Sequence, residues 1–175
     1  KSDVVLLVID AEAGIQEQDK HVVGYAIEEK KAIIIVVNKY DLIVKDNNTM
    51  NEFTKNIRKE FKFLDYAPVL YTSALTHLRV NNIIDLIDQV YESYTYEIKT
   101  NVLNEIIQDA QMMNETPDFN GGRCRIYYAH QVAKKPLTIA LFVNEPSWMH
   151  FSYLRYIENR IRDSFDLVGS PINLV

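Results

Sequence analysis

Asn38, Lys39 and Asp41, in the run Asn-Lys-Tyr-Asp, are the residues whose types and spacing most invite chemistry. An ionised Asp accepts two parallel hydrogen bonds, and the edge of a 2-aminopurine presents a matching pair of donors, its ring N–H and its exocyclic amine. Adenine lacks that pair. An Asn amide can donate to the purine N7, and a Lys stem can lie along the base face with its ammonium left in water. Ser73-Ala74-Leu75 supplies a complement: a small residue lets a backbone N–H approach the O6 acceptor of guanine, and the Ser73 hydroxyl can brace Asp41. The first four residues alone also fit a polar turn at a strand end, with Asn38 or Asp41 as a helix cap.

Position separates the two readings. Ala32 to Val37 is an uninterrupted apolar run, β-branched after its first residue, and reads as a strand covered on both faces, as in a parallel sheet packed between helices. Asn38 to Asp41 then stands at the carboxyl end of that strand, where open α/β sheets bind their ligands. Ala67 to Leu75 holds a second short strand, which ends in Ser-Ala-Leu, and Val4 to Ile9 is a third, which runs into Asp10. Asp10 at a strand end could take a catalytic role, but with no partner residue apparent it reads as a structural loop residue. Between these runs lie helices expected over Gln16 to Lys30 (Val22, Val23, Ala26 and Ile27 on one face) and Met50 to Phe61 (Phe53, Ile57, Phe61), with a polar loop over Leu42 to Asn51. A third helix, capped by Asn82, carries Ile83, Ile87, Val90, Tyr91 and Tyr94 as its buried stripe. This β-α-β-α-β-α order predicts a parallel sheet with right-handed crossovers, and it leaves Val4 to Ile9 with a bare edge. Lys55, Arg58, Lys59 and Lys62 form a solvated outer face, with a negatively charged partner such as ribosomal RNA as the alternative.

The order changes after Tyr96. Thr100 is expected to cap a helix bearing Val102, Leu103, Ile106, Ile107, Ala110 and Met113, with Met112 and Met113 as core or gap-filling residues; 116–122 reads as a loop. Arg123 to Gln131 and Leu137 to Val143 form a hairpin whose tip carries Lys134 and Lys135. An amphipathic helix follows on Phe151, Leu154, Ile157, Ile161 and Phe165, with Arg155, Arg160 and Arg162 on its other face, and the last strand is Pro171 to Val175. The division expected is therefore 1–96 and 97–175.

At 47% apolar and 25% charged residues, the 175-residue chain has the composition of a globular protein that buries a core. A single cysteine excludes an internal disulfide framework, and no apolar run is long enough to cross a bilayer, so a cytoplasmic protein with no membrane partner is expected. The net charge of −5 excludes a global basic field for nucleic acid, and neither side of Tyr96 is basic. No glycine begins G-x-x-x-x-G-K-[ST], so the chain carries no phosphate loop, and no catalytic or metal-binding residue is assigned.

Across its length the sequence resembles the double-GTPase Der family, also called EngA. The resemblance rests on Asp10-Ala11 with Gly14 and Gln18-Asp19, Asn38-Lys39-Tyr40-Asp41-Leu42 and Ser73-Ala74-Leu75. It continues in Arg125 to Ala129 with Gln131-Val132, Leu141 to Asn144, His150 to Tyr153, Arg155-Tyr156, Glu158 to Arg162 and Gly169 to Ile172. It implies an α/β fold: the rear half of a P-loop GTPase domain, three parallel strands with helices, followed by an α+β KH-like domain of order α-β-β-α-β. It implies GTP or GDP as ligand, with Asn38 and Asp41 on guanine, Lys39 packed against it, and Ser73 and Ala74 closing the pocket. The full family protein hydrolyses GTP with Mg2+ and K+ and acts in assembly of the large ribosomal subunit. Phosphate and metal sites fall outside this chain, which is expected to be truncated at both ends and inactive alone; the missing GTPase domains are expected partners. KH folds that bind nucleic acid use a Gly-X-X-Gly clamp, and Glu145 to Ser152 at that place has no glycine. The alternative reading is a module that contacts rRNA or an adjacent domain through Lys134, Lys135, Arg155, Arg160 and Arg162.

Overall fold

The computed structural model describes residues 2–43 and 48–175. These divide into two compact units, one of the described residues up to 94 with 168–171 and one of residues 95–167 with 172–175.

The first unit is built on three strands, β1 (Val4–Asp10), β2 (Ala32–Asn38) and β3 (Val69–Tyr71), in the order β1-β2-β3 and all parallel. Helices α1 (Glu17–Glu28), α2 (Thr49–Glu60) and α3 (Asn82–Tyr94) alternate with them. Part of the polar loop expected before α2 lies outside the described residues. β2 is central and buried from Ala32 to Val37, as its unbroken apolar run requires. Its side chains alternate: Ile33, Ile35 and Val37 join Leu7, Val23, Ile57 and Phe61 in one core, and Ile34 and Val36 join Val90 and Tyr94 in the other. β1 is an edge strand, and its Leu6 and Val8 are exposed.

β3 begins opposite Ile35, so the earlier β2 donors need other acceptors. Ile35 N–H finds Pro68 O at 2.9 Å and Ile33 N–H finds Gly169 O at 2.9 Å, while Gly169 N–H reaches Tyr66 O at 2.8 Å. Gly169 has φ +69°, and a Cβ there would lie 2.6 Å from Val90 Cγ2 and 3.2 Å from the Ile33 carbonyl oxygen, so both its backbone and its space call for glycine. Arg58, expected on the solvated face, instead donates to Leu64 O and Ala67 O at 2.5 and 2.7 Å and fastens the turn before β3.

The second unit holds α4 (Thr100–Met113), the short hairpin β4 (Asp118–Phe119) and β5 (Gly122–Arg123), then β6 (Ile126–Ala133), β7 (Leu137–Val143), α5 (Phe151–Ser164) and β8 (Ile172–Leu174). β6 and β7 are antiparallel and β8 joins β7 in parallel, giving the α-β-β-α-β order apart from the β4–β5 hairpin. Leu103, Ile107 and Ala110 of α4 meet Ile126, Ala129, Leu137 and Ile139 of the sheet and Tyr153, Ile157 and Ile161 of α5 in one core. The free edge of β6 is covered by side-chain amides of α4. Asn104 exchanges two hydrogen bonds with Ala129 (2.8 and 2.9 Å), and Gln111 does the same with Ile126 (2.9 and 3.0 Å).

Several expectations are corrected. Met112 and Met113 are exposed, because the α4 contribution to the core ends at Ala110. Thr100 is the first helical residue of α4 and Lys99 its cap, with no side-chain bond. Val22 and Tyr91 lie mostly outside the core, and the segment read as a loop after Thr116 contains β4 and β5. No helix among the described residues is long and apolar enough to cross a membrane.

Candidate nucleotide-binding site

The parallel register sets Asp10 beside Asn38 and Val37 beside Tyr71, so the three carboxyl ends of the sheet finish together. Backbone bonds carry the pairing beyond the strands: Ala11 N–H to Asn38 O at 2.9 Å, Thr72 N–H to Val37 O at 2.8 Å and Tyr40 N–H to Thr72 O at 3.0 Å. The Asn38 side chain completes the junction. Its Oδ1 accepts Ala74 N–H at 3.0 Å, with the Thr72 hydroxyl farther away at 3.5 Å. That bond settles which way the amide points, since only its oxygen can accept, and it leaves the Nδ2 hydrogens for another acceptor.

Ser73 and Ala74 begin a loop closed by Ser73 N–H on Leu78 O at 3.1 Å, and the buried Ser73 hydroxyl accepts Thr76 N–H at 3.1 Å. The brace expected from Ser73 to Asp41 is not made; the hydroxyl shapes its own loop instead. Ala74 is exposed.

Lys39 stands in the left-handed region with φ 59°, at the cap of a 3-10 turn over Tyr40–Leu42. For a residue with a Cβ that conformation costs about 1–2 kcal/mol, and such strain gathers at ligand sites. The lysine side chain stays exposed, but its ammonium is paired. Its Nζ lies 2.6 Å from Asp10 Oδ2, while Asp10 Oδ1 accepts the N–H groups of Glu12 and Ala13 at 2.9 and 3.2 Å. The Lys39 hydrogen bond, followed by those two backbone donors, holds the Asp10 carboxyl below the usual carboxylate range, and the same pairing raises the Lys39 ammonium. Asp10, read from the sequence as a loop residue without a partner, has one in Lys39. The signal lay in the two strands' common length, which puts Asp10 and Asn38 at adjoining ends.

Asp41 sits in the 3-10 turn, and its Oδ1 is enclosed with no hydrogen-bond partner among the described residues. An unpaired, desolvated carboxylate oxygen is costly, and a donor that reached it would recover that cost. A guanine base thus has a candidate acceptor in Asp41, a candidate donor in Asn38 Nδ2 and a candidate wall in the Lys39 stem. Among the described residues, no group of three His, Cys, Asp or Glu side chains is placed to hold a metal ion.

Two of the five basic residues singled out in the second unit have partners within the chain. Lys134 pairs with Glu97 at 2.7 Å, and Arg162 bonds Leu167 O and Glu158, each at 3.2 Å. Arg160 Nε is enclosed without a partner among the described residues, whereas Arg155 and Lys135 are exposed. At Glu145 to Ser152, a 3-10 turn over Pro146–Trp148 lies under the β4–β5 hairpin. Asn120 donates to Ser147 O at 2.8 Å, and the Trp148 ring is pressed on Gly122 so closely that a Cβ there would come within 2.2 Å.

Residues 97–175 match the KH-domain-like C-terminal domain of EngA bacterial GTPase enzymes, and residues 1–93 match the elongation factor Tu GTP binding domain. The chain belongs to the Der (EngA) GTPase family. Over all 175 residues it is 53% identical to GTPase Der of Bacillus cereus strain ATCC 10987 and 52% identical to GTPase Der of Bacillus anthracis strain CDC 684. It spans 40% of the length of these Der relatives. A solved structure of Aquifex aeolicus Era bound to GDP.AlF4- is similar at 21% identity and a TM-score of 0.44, over 99% of this chain and 64% of that one, too distant to bear on the site.

Proposed function

We propose that residues 1–96 are the base-reading half of a GTP-binding domain and residues 97–175 a KH-like domain, and that Asn38, Lys39, Asp41, Ser73 and Ala74 form the guanine pocket. The observation that carries the reading is the Asn38 Oδ1 to Ala74 N–H bond of 3.0 Å. It ties the two strand-end loops together and leaves the Asn38 donors for another acceptor. Asp41 supplies the selectivity, since its two oxygens match the two guanine donors and would face an acceptor on adenine. In the whole protein this pocket serves GTP hydrolysis, with Mg2+ and K+ bound by residues outside this chain; alone the chain is inactive. The setting is cytoplasmic, in assembly of the large ribosomal subunit, with rRNA and the remaining GTPase domains as partners. A purely RNA-binding role gains less support, because Lys134 and Arg162 are engaged within the chain.

The test is Asp41→Asn in the longest natural chain containing this sequence. The amide donates where the carboxylate accepted, so preference is expected to move from guanine to xanthine nucleotides. Competition between GDP and XDP reads this directly, and an unchanged guanine preference would rule the assignment out.

A further inference from the structure

Resting on the guanine reading, we propose that Asp10 is a positioning residue for base recognition: it holds the Lys39 ammonium so that the lysine stem stands ready as one wall of the pocket. Asp10 is itself fixed first. Its Oδ1 is taken by two backbone N–H groups of the following turn, at 2.9 and 3.2 Å, which orients Oδ2 toward Lys39 Nζ at 2.6 Å. The strand register provides the rest, with Asp10 beside Asn38 and Ala11 N–H on Asn38 O.

Two consequences favour binding. A free lysine side chain gives up rotamer freedom when a base packs on it, and a stem already held at both ends gives up less. The second concerns competition for the selectivity acceptor. Asp41 is two residues from Lys39 and its Oδ1 has no partner among the described residues. An ammonium released from Asp10 is left with Glu12, which already acts on it, and with Asp41 two residues on, and a Lys39–Asp41 pair would occupy the atoms that guanine needs. Asp10 therefore keeps Asp41 available while itself remaining clear of the base.

The experiment is a double-mutant cycle on affinity for fluorescent GDP, in the longest natural chain containing this sequence. The variants are Asp10→Asn, Lys39→Met and their combination. Asp10→Asn retains an acceptor for the turn, and it is expected to weaken binding about tenfold in the Lys39 background and not at all in the Lys39→Met background. Equal losses in both backgrounds, the mark of a merely structural role, would overturn the proposal, as would wild-type affinity in Asp10→Asn. If Asp10→Asn does not fold, Asp10→Glu takes its place in the cycle, where a loss confined to the Lys39 background supports the role and equal losses overturn it. Running Asp41→Asn alongside separates the failures. A switch to XDP with an additive cycle removes only the role of Asp10, whereas no switch removes the guanine reading and the role of Asp10 with it.

Discussion

Asn38 performs two tasks with two ends of one amide, and a pair of substitutions separates them. Its Oδ1 accepts Ala74 N–H at 3.0 Å, and in the proposed reading its Nδ2 donates to the purine N7. Asn38→Asp keeps an acceptor for Ala74 and replaces the donor with a charged oxygen; Asn38→Ala removes both. Ala74 is exposed, so water can replace the lost acceptor, and the stability cost of Asn38→Ala should be about 0.5–1.5 kcal/mol. Asn38→Asp should unfold within about 0.5 kcal/mol of wild type. Affinity should run the other way. In Asn38→Asp an acceptor opposes the N7 acceptor, a loss of about 2–3 kcal/mol or roughly 30–150-fold in Kd for GDP. Asn38→Ala, without that repulsion, should lose less. Urea unfolding and fluorescent GDP titration of both variants make the comparison. Wild-type GDP affinity in Asn38→Asp would refute the donor role, and a stability loss well above the stated range in Asn38→Ala would show that the loop junction depends on more than this one bond.

Gly169→Ala combines left-handed strain with a clash against Val90, and should cost about 2–4 kcal/mol, seen as a fall in Tm of about 4–16 °C. Gly24→Ala, inside α1 with open space around it, should instead stabilise by about 0.5–1 kcal/mol in the same melt. The depressed Asp10 carboxyl contributes stability above its unfolded value near 3.8 and loses it as pH falls through the folded value, while the raised Lys39 contributes below 10.5 and loses it above. Between about pH 5 and 9 this pair should therefore impose no slope on GDP affinity, whereas a titration in that window would refute the pairing. Burial pushes the Cys124 thiol up, so alkylation by iodoacetamide at neutral pH should be slow in the native protein and should rise with the unfolded fraction in urea.

The sheet of the first unit was legible because β2 is apolar at every position from Ala32 to Val37, which only a strand covered on both faces explains, and because turn residues mark its end. The candidate residues stood out by type: Asn, Lys and Asp at a strand end. What stayed hidden depended on side-chain geometry. Nothing in the residue types says that Lys39 turns to Asp10, or that the Ser73 hydroxyl serves Thr76 and not Asp41, since both choices follow from register and loop closure. Met112 and Met113 misled because helical spacing extends a stripe past the point where there is a sheet to pack on. β4 and β5 are two residues each, too short for period-2 patterning to register.

The amides of α4 also fix where that helix sits along its sheet. Asn104 and Gln111 are two helical turns apart, a rise of about 10 Å, and their partners Ala129 and Ile126 are separated by nearly the same length of extended strand. The helix and β6 therefore mesh like two matched rulers read in opposite directions. Sliding one past the other by a single residue breaks all four bonds at once, without a second setting in which they can re-form. The unit consequently has one alignment of helix on sheet, chosen by two polar side chains in a place where greasy contacts alone would tolerate several.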